Sequence, residues 1–386
     1  MFRQRFTEAQ QEHLLRSLGG VDAYVPPALP PELVFDGDLV RQLSEADRSL
    51  GELSGVGRTL PSPQLFTRAL LRREAVLSSR IEGTQATLSD LVLFEIERHE
   101  DSYGDVHEVA NYVAAMEYLL DRERSSPISL WLLREAHRIL LTGVRGEQAA
   151  PGQFRDSQNW IGSSGDTIDN ATYVPPPPER LQECLEAFAR HLEGPRNLPP
   201  LVEIACLHYQ FEAIHPFRDG NGRVGRLLVA LLLVEWGLLP GPLLDFSAYI
   251  EQRRQDYYGH LLAVSTEGDW RGWIEFFLKV IATQAKDVLL RAQALRELRD
   301  EYRTRVTGAR SSSLMPRLVD ALFERPAITI PMAQKVMGVS HRAATVNIEK
   351  LVEQGLVVEI EKSGRTRRFV ALEIIRVING ESIDRP

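Results

Sequence analysis

The chain reads as mainly α, with one β-hairpin at mid-sequence and a smaller C-terminal unit of helix-turn-helix plus β wing. Apolar residues recur at helical spacing in segment after segment from Asp36 to Arg303. A glycine-rich run followed by Ala171-Thr172-Tyr173-Val174 interrupts them as a hairpin would. After about Ser311 short helical patterns give way to two β-rich runs. With 386 residues there is room for two or three domains, and an apolar share of 44% is ordinary for real cores.

Composition narrows the function classes. A net charge of −8 argues against a protein that coats nucleic acid over its whole surface, while allowing one basic module. Cys184 and Cys206 both fall in helical patterns and read as buried thiols, not a disulfide scaffold. No apolar h-region follows Met1-Phe2-Arg3-Gln4-Arg5, and the run Leu227 to Trp236 is too short to span a bilayer. No membrane partner is expected, and a cytoplasmic location is the default.

Residues 1 to about 35 are polar and then proline-rich through Val25-Pro26-Pro27-Ala28-Leu29-Pro30-Pro31, which predicts an extended arm. A helix is expected from Asp36 to Gly51 and another from Ser62 to Glu82, with Phe66, Leu70, Leu77 and Ile81 on one face. Gly83 is placed as a C′ residue, so Glu82 falls in the last turn. There a carboxylate opposes the helix dipole by about 0.3–1 kcal/mol if exposed, and by exposure habits alone it reads as a solvated acid. Further helices are predicted over Leu88–Glu97, Val106–Leu120, Ile128–Leu141, Glu179–Leu192, Leu201–Ile214, Gly222–Trp236, Tyr249–Thr266 and Trp270–Arg303. The helix from Gly222 is apolar almost all round and should be central; the last is charged from Arg291 onward and reads as a solvated connector. Asn159 to Pro178 fits an exposed hairpin.

In the C-terminal piece, helices are expected over Leu314–Glu324, Ile330–Met337 and Ser340–Gln354, then strands over Leu356–Glu361 and Arg368–Leu372. Ala344, Ile348, Leu351 and Val352 should face inward, and His341, Arg342, Thr345 and Asn347 outward. Lys362, Arg365, Arg367 and Arg368 make the wing basic. The order resembles a winged helix-turn-helix, so double-stranded DNA is an expected partner through residues 340–368, although such folds also serve as dimerisation or docking modules.

The chemistry concentrates in His215-Pro216-Phe217-Arg218-Asp219-Gly220-Asn221-Gly222-Arg223-Val224-Gly225-Arg226. It combines one base, one carboxylate, one amide, three arginines and three glycines that let backbone N–H groups approach a ligand. Turn chemistry accounts for the proline and glycines, but not for Arg223 and Arg226 one helical turn apart. The parts match a polyphosphate site. Gly220-x-Gly222-x-x-Gly225 also satisfies a dinucleotide fingerprint, but the preceding Leu201, Ile204, Ala205, His208, Phe211 and Ile214 are helical, not strand-like, so that reading fails.

The same stretch is similar to the signature of the Fic family, H-P-F-x-[DE]-G-N-G-R-x-x-R, with every specified position met. Ser78-x-x-x-Glu82-Gly83 resembles that family's inhibitory motif, [ST]-x-x-x-E-[GN], and the likeness spans roughly residues 60 to 280. It implies a Fic-type helical core with a β-hairpin flap. It also implies transfer of AMP from ATP to a Tyr, Ser or Thr hydroxyl of a target protein or of the chain itself. His215 would be the general base and Asp219 the Mg²⁺ ligand. Asn221 would donate to the α-phosphate. Gly220, Gly222, Val224 and Gly225 would complete the ATP loop, and Arg223 and Arg226 would grip the β- and γ-phosphates. Tyr257 and Tyr258 would enclose the adenosine; where relatives carry an Asn seven residues further on, this chain has Ser265. Thr172, Tyr173 and Val174 would offer an edge for a target segment. Glu82, with Ser78, would compete with ATP for Arg226. The implied layout is an arm and inhibitory helix in 1–105 (the helix itself about 62–83), a catalytic core in 106–280, a connector in 281–310 and a winged helix in 311–386. A DNA-binding regulator that senses a nucleotide, Glu82-dependent removal of AMP, and a homodimer all stay open at this point.

Overall fold

The N-terminal arm is more ordered than its composition suggests. In the computed structural model, which describes residues 3–17, 20–59, 63–97, 104–121, 127–163, 165–307, 314–360 and 366–381, helix α1 (Glu8–Gln11) precedes an antiparallel pair of short strands. These are β1 (Leu14–Arg16) and β2 (Asp22–Tyr24), with Leu14 opposite Tyr24. Tyr24 holds the arm down: it is buried, its ring lies 5.7 Å from Phe6, and its N–H donates to the Val174 carbonyl at 2.9 Å.

The helical body follows the periodicity closely. It comprises α2 (Gly37–Thr59), α3 (Pro63–Ile81), α4 (Leu88–Glu97), α5 (Asp105–Asp121), α6 (Leu130–Leu141), α7 (Pro178–Glu193), α8 (Pro200–Ile214) and α9 (Asn221–Glu235). Then come α10 (Phe246–Gln252), α11 (Arg254–Glu267) and α12 (Trp270–Val306). Helices α8 and α9 are buried nearly all round, and α3, α5, α6, α10 and α11 pack around them. The single helix expected over Tyr249–Thr266 is two, because the chain breaks at Arg253 (φ −133°, ψ 43°), whose guanidinium stacks 4.2 Å over the Tyr249 ring. Among the described residues no helix is long and apolar enough to cross a membrane.

The C-terminal unit has the expected helix-turn-helix plus two strands, with two additions. It runs α13 (Met315–Glu324), β3 (Ala327–Thr329), α14 (Ile330–Met337), α15 (His341–Glu353), β4 (Val358–Ile360), β5 (Arg368–Val370) and α16 (Leu372–Asn379). The strands form an antiparallel sheet in the order β3-β5-β4, with Val370 opposite both Ala327 and Val358. Ser340 caps α15 as expected, its side chain accepting from Ala343 N–H. Two facing assignments change. Asn347 is buried, its amide donating to the Ala343 carbonyl one turn back (2.8 Å), and Val352 is 37% exposed. Lys362 and Arg365 of the wing lie outside the described residues; Arg367 pairs with Glu359 (2.8 Å) and Glu349 (3.4 Å).

The charged end of α12 is not a solvated connector. Its arginines are half of an interface with the C-terminal unit. Arg299 meets Asp320 (2.7 Å), Tyr302 donates to Glu373 (2.7 Å), and Arg291 donates to the Ile378 carbonyl (2.7 Å). Helix α3 closes the same junction, where Arg72 pairs with Glu95 (2.8 Å) and donates to the Glu324 carbonyl (2.8 Å).

Candidate active site

The loop between α8 and α9 is fixed by its own residues before any ligand is considered. Helix α8 stops because His215 turns left-handed (φ 49°) and Pro216 cannot continue a helix. Gly220 (φ 77°) caps α9, a backbone shape that costs glycine least. The Asn221 side chain staples the turn: its oxygen accepts from Phe217 N–H (2.8 Å) and its amide donates to the Phe217 carbonyl (2.9 Å). Val224 faces the core and its N–H is spent on the Gly220 carbonyl (3.1 Å). The N–H groups of Asn221, Gly222 and Arg223 therefore form the helix start that favours an anion.

Residues outside the motif brace this loop, among them Asn159, whose amide donates to the Phe217 carbonyl (3.0 Å). Buried Arg155 donates to the carbonyls of His215 (2.9 Å) and Pro176 (2.6 Å). Buried His137 bonds the Asp219 carbonyl (2.9 Å), accepts from Gly152 N–H (2.9 Å), and stacks on Phe217 with ring centroids 3.8 Å apart. Since His137 Nδ1 accepts, Nε2 carries its proton.

The same reasoning sets the state of His215. Its Nδ1 faces the Glu212 carbonyl at 3.3 Å, and a carbonyl only accepts, so Nδ1 carries the hydrogen and Nε2 keeps its lone pair. Burial pushes the imidazole down to about 4, with Arg155 adding to the fall and the Glu212 carbonyl, Glu82 and Asp219 opposing it. His215 is therefore a neutral base near pH 7.

The two motif arginines part company. Arg226 is buried, with Nε donating to Ser78 Oγ (2.8 Å) and Nη2 donating to the Ser78 carbonyl (3.0 Å) and Glu82 Oε1 (2.6 Å). Burial raises the Glu82 carboxyl, but the Arg226 charge and hydrogen bond, with Arg223 and His215, outweigh it and leave the group below its ordinary range. Room for Glu82 comes from Gly222, where a Cβ would overlap the carboxylate. Arg223 turns the other way, into a buried pair with Glu108 (3.0 Å) that Arg145 backs at 3.4 Å.

A cavity of about 700 Å³ joins these groups. Glu82, Glu212, His215, Asp219, Gly222 and Arg226 line it, together with Tyr257, Tyr258, Leu261 and Leu262. In this arrangement the Arg223 guanidinium is paired with Glu108 and the Asn221 amide with the Phe217 carbonyl. Gly225 also looks elsewhere: a Cβ there would run into the Glu212 carboxylate and the His208 ring. Tyr257 is fully buried, its hydroxyl 2.8 Å from His208 Nε2, whereas Tyr258 is 45% exposed. Ser265 bonds Tyr209 (2.8 Å) in the cavity wall. Among the described residues no three acidic, His or Cys side chains form a ready cation cage. The Asp219 side chain, 47% exposed at the cavity edge, suits a hard cation that takes most of its oxygens from a ligand's phosphates.

The flap is a narrow hairpin closed by one antiparallel bridge, Ile161 to Tyr173. Thr172 is exposed, but Tyr173 and Val174 are not. Tyr173 donates to the Ala213 carbonyl (2.9 Å), and the Val174 carbonyl is taken by the arm at Tyr24. Within the expected docking edge at 172–174 the arm thus occupies the Val174 carbonyl, while Thr172 stays exposed at the cavity.

Comparison with known proteins places this geometry. A profile described as Fic/DOC family N-terminal matches residues 40–121, and one described as Fic/DOC family matches residues 127–233. Residues 40–121 and 127–233 thus carry a Fic N-terminal and a Fic domain. Proteins named protein adenylyltransferase Fic resemble it at 29% identity. That of Drosophila persimilis aligns over 61% of this chain and 44% of its own length, and that of Nematostella vectensis over 64% and 55%. The chain thus spans about half the length of these relatives. Its fold matches a Fic family protein from Desulfovibrio desulfuricans G20 (TM-score 0.57, 22% identity, covering 89% of this chain and 98% of the other). It also matches residues 134–508 of Fic-1 from C. elegans (TM-score 0.50, 20% identity, covering 67% and 73%). Arg155, His137, Glu108 and Glu212 are the site's residues that reading the sequence missed. Only Glu212 carried a signal, standing one helical turn before His215.

Proposed function

We propose that the chain transfers AMP from ATP to a Tyr, Ser or Thr hydroxyl of a target protein and of itself, and that Glu82 restrains the reaction by holding Arg226. The observation that carries this reading is the Ser78–Arg226–Glu82 cluster in the same cavity as His215. The names of the similar proteins support the reaction class.

The chemistry balances on this chain's own groups. The target hydroxyl oxygen attacks the α-phosphorus, the bond to the β-phosphate breaks, and pyrophosphate leaves. His215 Nε2 takes the hydroxyl proton, which its neutral state permits. The N-terminus of α9 faces the phosphates with its free N–H groups, in place of the committed Asn221 amide. Asp219 would hold Mg²⁺, which neutralises phosphate charge when bound. Arg226 would take the γ-phosphate once Glu82 lets go; with Glu82 in place the triphosphate sits out of line. A target segment would add to the flap at Trp160 and Gly162. There the backbone groups point away from the Ile161–Tyr173 bridge and from the arm.

Purified protein with ATP labelled at the α-phosphate tests the reading. Glu82→Gly should raise self-labelling strongly, and His215→Ala in that background should abolish it. Equal labelling by wild type and Glu82→Gly would sink the restraint. The pH profile has a direction as well. His215 works unprotonated, so kcat/KM should hold as pH falls through 6.5 and drop only toward about 4. An acid limb at 6.5 would contradict the buried, neutral imidazole.

DNA binding by residues 340–368 is a subsidiary proposal, resting on the helix-turn-helix order. Its charge supply is modest, because Arg367 is already paired to Glu349 and Glu359. A gel shift of the full chain at two salt concentrations should show weakening with salt if phosphates are contacted.

A further inference from the structure

We propose that Arg155 is a positioning residue for the transfer: its guanidinium sets where the base His215 stands relative to the flap that receives the target. This rests on the nucleotide-transfer reading of His215, and it gives Arg155 a part in the rate beyond the bracing of one loop.

Arg155 is buried, yet among the described residues it has no carboxylate partner. Burial pulls the guanidinium down only to about 10, so it is a cation near neutral pH. A buried cation must be compensated by acceptors, and here backbone carbonyls do it in two groups. Nε donates to the His215 carbonyl (2.9 Å) and Nη2 to that of Ile214 (3.3 Å), at the end of α8, where unpaired carbonyls favour positive charge. Nη2 also donates to the Pro176 carbonyl (2.6 Å) and Nη1 to that of Ser157 (3.2 Å). Ser157 and Pro176 flank the Ile161–Tyr173 bridge and are the two roots of the flap. The Arg155 N–H adds a bond to the Pro216 carbonyl (2.9 Å). One residue thus holds three consecutive carbonyls of the catalytic turn against both roots of the hairpin. His215 needs such a holder. Its backbone is left-handed (φ 49°), which is unusual without glycine, and its ring has only the long 3.3 Å contact to the Glu212 carbonyl. Proton transfer requires Nε2 within hydrogen-bond reach of a hydroxyl that the flap presents, so the distance from flap to base enters the rate and leaves ATP binding alone. A planar fork can bond in several directions at once, whereas a lysine ammonium donates from one point.

The test places Arg155→Met and Arg155→Lys in the full-length Glu82→Gly chain and measures self-labelling at saturating ATP with Mg²⁺, alongside ATP affinity by calorimetry. Arg155→Met should slow labelling about a hundredfold while ATP affinity stays within about threefold. Arg155→Lys keeps the charge without the fork and should slow labelling about tenfold. The imidazole gives a signature that does not depend on the reaction. With ¹⁵N-labelled histidine, the His215 resonances, assigned by their loss in His215→Ala, should report the Nδ1–H tautomer in the parent chain and a mixture of tautomers in Arg155→Met. Labelling and ATP affinity that fall together, or rates in both variants within about threefold of the parent, overturn the assignment. A thermal melt checks folding; where Arg155→Met does not fold, Arg155→Lys decides by the same criteria. A parent chain that binds ATP but never labels overturns AMP transfer, and the tautomer signature then decides the role of Arg155 by itself. Strong labelling that neither substitution slows leaves AMP transfer standing and overturns the positioning role.

Discussion

Arg223 and Arg226 share a motif, a helix and a side chain, and are one turn apart, yet the molecule uses them oppositely. Each is buried and each meets a glutamate from the N-terminal half. Arg223 meets Glu108, from the first turn of α5, in a pair whose side chains are both 3% exposed. Arg226 meets Glu82, just beyond the end of α3, whose side chain is 31% exposed. The first pair is sealed among packed helices. The second sits at a helix terminus followed by left-handed Gly83 (φ 99°), where a small change of backbone can withdraw the carboxylate. On the proposed reading, one arginine is a brace and the other changes partners.

The sharpest way to break that comparison is to remove each glutamate and measure stability. Glu108→Ala leaves Arg223 as a buried charge, with only the 3.9 Å ion pair to Asp219 among the described residues, and should cost about 3–5 kcal/mol in a denaturant melt. Glu82→Gly should cost about 1 kcal/mol or less, since Arg226 keeps both Ser78 contacts and the lost carboxylate was partly solvated. Comparable losses would mean that both pairs are braces.

The contrast also marks what could be read from the chain in advance. Helix after helix came from apolar spacing, because burial of one face is a property of the segment itself. The motif announced His215, Asp219 and Arg226 because their spacing is local. Partners from distant segments left no such trace. Nothing in Leu88–Leu141 singles out Glu108 or His137, and Arg155 reads as part of a turn, because each acquires its role only when α5, α6 and the loop after it close over α9. Local spacing also left contacts unread. The bonds of Asn221 to Phe217 were not visible in the motif, and α12 looked solvated because charge in sequence does not reveal that Asp320 and Glu373 arrive to meet it.

The Asn221 staple sets the next test. Asn221→Ala leaves the buried N–H of Phe217 without its partner, while the Phe217 carbonyl keeps the Asn159 amide (3.0 Å), a loss of about 1–3 kcal/mol. Asn221→Asp keeps the acceptor for the N–H and places a charge against the carbonyl. If the amide serves only the loop, nucleotide affinity in Asn221→Ala should fall in step with a looser loop, seen as raised hydrogen exchange at Phe217. Affinity lost with exchange unchanged would restore direct donation to a phosphate.

The smallest expected effect falls on the switch itself. Ser78 gives Arg226 two contacts, one through its hydroxyl and one through its backbone carbonyl, and Glu82 gives the third. Ser78→Ala removes the hydroxyl alone. A buried hydrogen bond to a charged group of about 1–2 kcal/mol, shared among three acceptors, should translate into roughly a five- to tenfold rise in self-labelling, well short of Glu82→Gly. In the Glu82→Gly background the same substitution should add little, because Arg226 is already free to meet the γ-phosphate. A full additive rise there would show that Ser78 restrains the arginine independently of Glu82, and the brace-and-switch division would then run through Ser78 as well.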